Sequence, residues 1–432
     1  MPRSKKCSVP AATEQGPVSP EEARRLFMIF EPYDAALLAV SGGSDSMALM
    51  WLAARWMRET GWPGKLHVGV VDHGLRAEAA DEARFVMAEA AKLGLNAHKL
   101  RWDGPHPKTG IPAAARQARY DLLCGLASKL GAVLVTAHTQ DDQAETVLMR
   151  LARGSGVDGL SGMEASSLRG DVCLLRPLLE VSRDRLREAL REAGMTWIDD
   201  PTNENTDHER VRVRKALDVL AEVGVSRDAL ALSARRLGRA KSALEVAKAG
   251  LMHVAVSVVT NSYAEIDLQR WSHGPAELQV RAIMQLARMF GGGQEISLSG
   301  AERVCDWIAQ SDARATTFAG CRFARRAKVV IVGREAVRVN TDTMRVTATR
   351  AVMWDGRYEI AVPEQLLPAQ ILPAGACKDL DRPRDIPDFV WRGLPLVKSA
   401  IGKWFTPAGG EDAGSGPVFR LIHAPNSGHD HE

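Results

Sequence analysis

The chain has 432 residues, with 56 Lys and Arg against 53 Asp and Glu for a formal net charge of +3, and it is 45% hydrophobic and 25% charged. That length supports two or three domains with cores of their own, and that composition excludes fibrous, low-complexity and wholly disordered classes. No stretch reaches the roughly 20 apolar residues that a membrane-spanning helix requires. The six cysteines (Cys7, Cys124, Cys173, Cys305, Cys321 and Cys377) form no C-x-x-C, so a disulfide framework or cysteine metal site is not expected and a reducing, cytoplasmic setting is.

Residues 1–20 combine Arg3, Lys5 and Lys6 with prolines and no apolar core, which predicts a disordered tail rather than a signal peptide. A leading helix is expected over 21–34. The apolar run Leu37-Leu38-Ala39-Val40 then breaks into Ser41-Gly42-Gly43-Ser44-Asp45-Ser46, and Met47, Ala48, Leu49, Met50 and Leu52 continue as a helix. Adjacent glycines let backbone approach a ligand closely, and a helix start offers unpaired N–H groups with partial positive charge. Together with the serine hydroxyls, this turn is suited to phosphate oxygens. It lacks the lysine of G-x-x-x-x-G-K-[ST], so a P-loop NTPase is not implied, and Asp45 points to a magnesium-bound polyphosphate. The plainer alternative is an ordinary serine-capped strand-to-helix turn.

A second strand is expected at Leu66–Val71, ending on Asp72-His73-Gly74-Leu75-Arg76, followed by helical spacing at Ala79, Ala83, Val86, Ala90 and Leu93. Further strands are expected at Asn96–Leu100 and Ala132–Ala137. Between them lie a proline-rich loop, 104–112, read as either a lid or a connector, and a helix from Ala113 to Leu130 carrying Arg116, Arg119 and Tyr120. Strands alternating with helices predict a parallel sheet covered by helices on both faces, with ligands at the carboxyl ends of the strands. The serine-glycine turn, Asp72-His73 and His138 all fall at such ends.

The stretch Thr136 to Thr146 places His138, Asp142 and Glu145 on one helical face. Asp141 and Asp142 can serve simply as helix caps. In the functional reading Asp45 and Asp142 hold magnesium, an ion that takes few protein carboxylates and keeps several waters. A second glycine-rich loop spans 153–162, and another helix runs from Arg183 to Ala193. Composition shifts near residue 220: helices are expected over 227–255, 274–290 and 298–310, then strands around Phe318–Phe323 and Val329–Val332. Of the other histidines, His67, His98, His253, His273, His429 and His431 read as structural or inert, as do Trp51, Trp56, Trp391 and Trp404.

Ser41–Ser46 after a buried strand resembles the PP-loop of the ATP pyrophosphatases, which split ATP into AMP and pyrophosphate. Several further motifs are similar to those of the tRNA(Ile)-lysidine synthetase family. They are Asp72–Arg76, Arg116 with Arg119-Tyr120, His138–Thr146, Arg153-Gly154-Ser155-Gly156 with Gly159-Leu160, Arg176-Pro177-Leu178-Leu179, and Asp200-Pro201-Thr202-Asn203 with Arg210 and Arg214. They cover about residues 36–215 in the family's order. Arg212, between Arg210 and Arg214, departs from the family's usual less charged residue.

The resemblance implies ATP and Mg2+ as co-substrate and metal, and L-lysine and tRNA(Ile) with a CAU anticodon as partners. The C2 carbonyl oxygen of the wobble cytidine is adenylated, and the lysine ε-amine then displaces AMP. Lysidine forms and codon reading changes from AUG to AUA. Asp45, Asp142, His138 and Glu145 are the catalytic candidates, with Asp45 and Asp142 also as metal ligands; the division between metal ligand and base stays open. Ser41, Gly42, Gly43, Ser44, Asp45, Ser46, Asp72, His73 and Arg116 are the expected ATP-binding residues.

Arg119, Arg176, Arg210 and Arg214 are expected to meet tRNA, as are Arg322, Arg325 and Arg326. These last three open a run of eight cations (continuing Lys328, Arg334, Arg338, Arg345, Arg350) against Glu335 and Asp342. The expected layout is a tail (1–20), a PP-loop ATP-binding catalytic domain (21–220), a helical middle domain (221–315), a basic α+β C-terminal tRNA-binding domain (316–425) and a final tail (426–432). No membrane contact is expected; the oligomeric state stays open, with a homodimer as one arrangement. Two rival readings are a tRNA sulfur transferase, which would want a reactive cysteine near the nucleotide, and a catalytically silent tRNA-binding module, which would not need Asp45 and Asp142.

Overall fold

A computed structural model describes residues 16–74, 79–104, 109, 111–199, 209–310, 312–378, 380–410 and 416–422. Expectations for the far N-terminal tail, Leu75 and Arg76, most of the 104–112 loop, Asp200–Asn203 and the end of the chain lie outside the described residues. Two compact units divide between Lys241 and Ser242.

In the first unit, Ser19 caps helix α1 (Pro20–Phe27), its Oγ accepting the Glu22 N–H at 3.1 Å. The chain then tightens into a 3-10 turn, Met28–Phe30, so the expected helix over 21–34 is shorter than its apolar spacing suggests. Strands β1 (Ala35–Ala39), β2 (Lys65–Asp72), β3 (Asn96–Arg101) and β4 (Val133–Val135) alternate with helices α2 (Ser44–Thr60), α3 (Ala79–Lys92) and α4 (Ile111–Leu130). Helices α5 (Gln140–Ala152) and α6 (Val157–Leu160) precede a hairpin, β5 (Ser166–Arg169) and β6 (Val172–Leu175). Helices α7 (Arg183–Glu192) and α8 (Glu209–Glu222) follow, and α9 (Arg227–Ala255) crosses the division.

The six strands form one sheet in the order β3-β2-β1-β4-β6-β5, parallel except for β5 against β6. Period-two geometry divides β1 between two cores. Ala36 and Leu38 pack with α2 residues such as Met47 and Met50, while Ala35, Leu37 and Ala39 pack against Leu123 and Ala127 of α4. Trp56 and Trp62 meet Phe30 at 5.7 and 6.2 Å between ring centroids, which seats the segment after α1 against α2. The expected α/β architecture, a parallel sheet with helices on both faces, is therefore present. The β5–β6 hairpin was hidden because β5 is short and polar (Ser166, Ser167, Arg169).

From β1 the chain builds outward to β2 and β3, and then returns to add β4 on the other side of β1. This reversal opens a crevice between the carboxyl ends of β1 and β4, the place where parallel α/β sheets bind ligands.

In the second unit, β7 (Val256–Val259) and β8 (Tyr263–Asp267) form a hairpin across Thr260 and Asn261, both with positive φ (46° and 53°). Helices α10 (Leu268–Ser272), α11 (Ala276–Phe290) and α12 (Leu298–Gln310) follow, then strands β9 (Ala315–Phe318), β10 (Cys321–Arg326) and β11 (Val329–Arg334). These join the hairpin in one antiparallel sheet, β7-β8-β11-β10-β9. The 221–315 stretch is thus helical with one inserted hairpin. Val256–Val259 continues the alanine-valine pattern of α9, which masks it in the sequence. Strands β12 (Met344–Val346), β13 (Val352–Trp354), β14 (Tyr358–Ala361) and β15 (Ala369–Pro373), the short helix α13 (Asp388–Trp391), and strands β16 (Pro395–Ser399), β17 (Trp404–Thr406), β18 (Gly409–Gly410) and β19 (Val418–Leu421) complete two further sheets.

Two buried arginines of this unit share one carboxylate. Asp355 accepts from Arg334 Nε at 2.9 Å and from Arg357 Nε at 2.8 Å, and all three side chains are at most 5% exposed. The arginines also donate to backbone carbonyls, Arg334 to Arg338 at 2.7 Å and Arg357 to Gly393 at 2.5 Å. Removing one partner of a buried ion cluster strands the others in low dielectric. D355A is therefore expected to destabilise this unit by about 3–5 kcal/mol, seen as a lower urea midpoint, while nucleotide binding in the first unit persists.

Candidate active site

Ser41–Ser46 joins β1 to α2. Gly42 has φ +91°, a region that L side chains resist, and its carbonyl accepts the Ile198 N–H at 2.9 Å. A Cβ at Gly42 would lie 3.0 Å from Ile198 Cδ1. The Ser46 hydroxyl is used within the turn: it accepts the Ser41 N–H at 3.1 Å and donates to the Gly43 carbonyl at 3.0 Å. Ser46 therefore staples the loop shut. The phosphate donors it leaves are the N–H groups of the first turn of α2, which no helical carbonyl can reach.

The loop after β4 has a matching construction. Thr139 caps α5 in a reciprocal box: its N–H donates to Asp142 Oδ2 at 2.9 Å, and its Oγ1 accepts the Asp142 N–H at 3.4 Å. The N-terminal turns of α2 and α5 thus bring Asp45 and Asp142 into one crevice, a cavity of about 530 Å³. Ser41, Gly43, Ser44, Asp45 and Ser46 line it with His73 and His138, and so do Asp142, Arg116, Arg119, Arg210 and Arg214. Asp45 and Asp142 offer oxygen donors beside a phosphate-binding helix start, a donor set that fits magnesium carried by a nucleotide. Among the described residues no group of three or more His, Cys, Asp and Glu could hold a metal by itself.

Arg183 and Arg187 of α7 also line the cavity, and the motifs that singled out the other site residues passed over both. Arg183 Nε donates to Asp45 Oδ2 at 2.9 Å, and its Nη2 lies 3.6 Å from Asp142 Oδ1. Arg187 Nε donates to Ser44 Oγ at 3.3 Å. The only local signal was position: both arginines follow Arg176–Leu179 and stand one helical turn apart.

Four expected site residues are engaged by other protein groups. Asp72 accepts the Gly74 N–H at 3.0 Å and pairs with Lys99 at 3.1 Å, shaping the turn after β2. Arg176 donates to the Glu164 carbonyl at 2.7 Å and to Ser167 Oγ at 3.1 Å. Glu145, 1% exposed, accepts Arg214 Nε at 2.5 Å through Oε1, while its buried Oε2 has no hydrogen-bond partner among the described residues. In the second unit, Arg325 Nη2 donates to the carbonyls of Trp307 and Ile308 at 3.2 and 2.7 Å, at the end of α12. Arg322, exposed, stands 5.2 Å from the centre of the Phe389 ring, and Arg326 is exposed as well.

Burial and charge set the carboxyls apart. Burial raises Asp45 above the usual carboxylate range, and Asp142 adds to this, against the pull of Arg183. For Asp142 burial also acts upward, but Arg183, the Thr139 N–H, His138 and Arg210 outweigh it and hold the carboxyl low. Glu145 is raised, chiefly by burial, with Arg214 offsetting part. Burial together with Arg176, Arg116 and Arg210 pulls His138 down to about 4, against the opposite effect of Asp142. Its ring is neutral near pH 7, with Nδ1 2.9 Å from Thr136 Oγ1.

A PP-loop nucleotide-binding domain is the class that this crevice defines, and the PP-loop domain family model matches residues 19–220. Curated relatives narrow it. A tRNA(Ile)-lysidine synthase of Bradyrhizobium diazoefficiens is 52% identical over 234 residues, spanning 54% of this chain and 65% of that protein. One from Rhodopseudomonas palustris is 43% identical over 306 residues, 70% of this chain and 88% of that protein. One from Rhizobium meliloti is 34% identical over 417 residues, 92% of this chain and 87% of that protein. The chain belongs to the tRNA(Ile)-lysidine synthase family.

G42A is expected to cost about 1–2 kcal/mol of stability through its left-handed backbone and to weaken ATP binding as Ile198 is displaced, measured by urea denaturation and equilibrium dialysis. His138 binds its proton less readily in the folded state than in the unfolded state. Its stabilising effect is therefore complete above about pH 6.5 and is lost as pH falls toward about 4. H138Q is expected to lose less stability than the wild type between pH 7 and pH 5, read from urea midpoints at the two pH values.

Proposed function

We propose that the chain makes lysidine at the wobble cytidine of tRNA(Ile) with a CAU anticodon, using ATP and L-lysine, with Asp45 and Asp142 on the magnesium-bound phosphates. The observation that carries this reading is the meeting of two helix N-termini and their two aspartates in one arginine-lined crevice.

The ATP phosphates lie against the N–H groups that open α2, with Arg116 and Arg119 also lining the crevice. Magnesium, when bound, supplies charge neutralisation on the departing pyrophosphate. The C2 carbonyl oxygen of cytidine attacks the α-phosphorus and pyrophosphate leaves. The lysine ε-amine then attacks C2, the C2–O bond breaks, AMP leaves, and the nitrogen gives up a proton. Presenting that amine uncharged at pH 7 costs about 4–5 kcal/mol.

Of the three candidate acceptors, His138 at about 4 is too acidic when protonated to accept well, and Asp142 is held lower than an ordinary carboxyl. Glu145 has a raised proton affinity, chiefly from burial, and a carboxylate oxygen without a hydrogen-bond partner among the described residues. We therefore assign Asp45 and Asp142 to the nucleotide and Glu145 to the amine. Arg210 and Arg214 face Asp142 and Glu145 at 3.9 and 2.5 Å, which fits them to ordering these carboxyls as well as meeting the anticodon phosphates. On the second unit, Arg322 and Arg326 remain outward-facing contacts for tRNA phosphate. No cysteine among the described residues lines the crevice, which favours amine chemistry over sulfur transfer.

Labelled lysine is expected to enter a CAU-anticodon tRNA(Ile) transcript in the presence of ATP and magnesium, and not a tRNA(Met) with the same anticodon. D45N and D142N, which keep the shape of each side chain, are expected to lower incorporation about 100-fold or more with unchanged circular dichroism. Release of AMP without lysine incorporation would overturn the reading.

A further inference from the structure

Arg183 stands where the nucleotide's cation is proposed to stand. Its guanidinium lies between the carboxylates of two helices, 2.9 Å from Asp45 Oδ2 and 3.6 Å from Asp142 Oδ1. These two carboxylates repel, each arriving on the first turn of a separate helix, and a single cation between them relieves that repulsion. Arg183 supplies it from a third element.

How Arg183 is mounted bears on what it can do. It is the first residue of α7, and its backbone N–H donates to Asp141 Oδ2 at 2.8 Å, so its main chain is pinned to the start of α5. The side chain beyond that anchor is long, and it lines the cavity. One turn later Arg187 holds Ser44 Oγ, on the first residue of α2. The α7 face therefore presents two guanidiniums to the place where phosphates are to lie. A guanidinium matches a carboxylate and a phosphate with the same planar fork.

We propose that Arg183 is a stand-in for the divalent cation. Without nucleotide it bridges Asp45 and Asp142 and keeps free divalent ions out, and on arrival of the metal–nucleotide it transfers its guanidinium to the phosphates. This rests on the assignment of Asp45 and Asp142 to the nucleotide's magnesium. A guanidinium and a magnesium ion, which binds oxygens at about 2.0–2.1 Å, compete for the same carboxylate oxygens. The exchange makes metal binding conditional on nucleotide, because only a phosphate offers the displaced arginine a new anionic partner.

Manganese serves as the probe, its binding to the full chain followed by electron paramagnetic resonance with and without α,β-methylene-ATP. The wild type is expected to bind Mn2+ at least about tenfold more tightly with the analogue than without it. R183Q is expected to bind Mn2+ in the absence of the analogue about tenfold more tightly than the wild type, and to bind the analogue itself about tenfold more weakly. R187Q, which removes an equal charge one turn away, is expected to change nucleotide-free Mn2+ binding by no more than about twofold. R183K keeps the charge but loses the fork that spans both carboxylates. A smaller gain, about threefold, is expected from it, and it serves if R183Q is poorly folded.

If the wild type binds Mn2+ with the analogue but neither R183Q nor R183K gains affinity without it, the stand-in is wrong and the cation assignment survives. If the wild type binds no Mn2+ even with the analogue, the cation assignment fails and takes the stand-in with it.

Discussion

Everything in the first unit depends on bringing two like-charged carboxylates together at the reversal point of a parallel sheet. Asp45 and Asp142 each sit in the first turn of a helix, where the helix dipole favours negative charge. Each is further held by local groups: Asp45 by the Ser44 hydroxyl at 3.2 Å, and Asp142 by the Thr139 N–H and hydroxyl. Their repulsion persists, and Arg183 balances it from a third helix. The strand order β2-β1-β4 puts the two helix starts side by side. Without that order, the same residues would be two unrelated caps.

A second consequence is the sharing of roles among the arginines. Arg183, Arg210 and Arg214 face carboxylates, and Arg187 faces both a serine hydroxyl and Asp199 at 3.9 Å. Arg116 and Arg119, on α4, are instead grouped with Tyr120: Arg116 lies 5.5 Å from the ring centre, and Arg169 approaches the same ring at 4.1 Å. The crevice lining therefore combines a balanced ion network with arginines set beside an aromatic ring.

The second unit shows why a basic run in sequence is not a basic surface. Of the eight cations between residues 322 and 350, Arg334 is buried on Asp355 and Arg325 closes the end of α12. Arg338 pairs with Glu335 at 2.9 Å. Arg338 is itself exposed, as are Arg322, Arg326, Lys328, Arg345 and Arg350. In β10 the cations fall at 322, 325 and 326, so strand alternation alone distributes them over both faces of the sheet. The surface left is smaller than the charge count implied, and Arg357, from outside the run, joins the buried cluster.

The sequence by itself determined the alternation of strands and helices through β4, the glycine turn after β1, and the placing of Asp45 and Asp142 at the carboxyl ends of strands. Each rests on local chemistry: glycines where φ must be positive, apolar runs of strand length, and carboxylates in first turns. Only the tertiary structure decided what lies across from them. Arg183 reaches Asp45 over 138 residues of chain, and Ile198 covers Gly42 across a similar separation. The hairpins β5–β6 and β7–β8 became legible only through their partners, because short or helix-like stretches gain strand character by pairing. Asp72 and Arg325 carry residue types suited to ligand contact, and nearby groups also engage them in the fold: the Gly74 N–H and Lys99 for Asp72, the Trp307 and Ile308 carbonyls for Arg325. A side chain's type limits what it can bind, and its neighbours in space choose among those options.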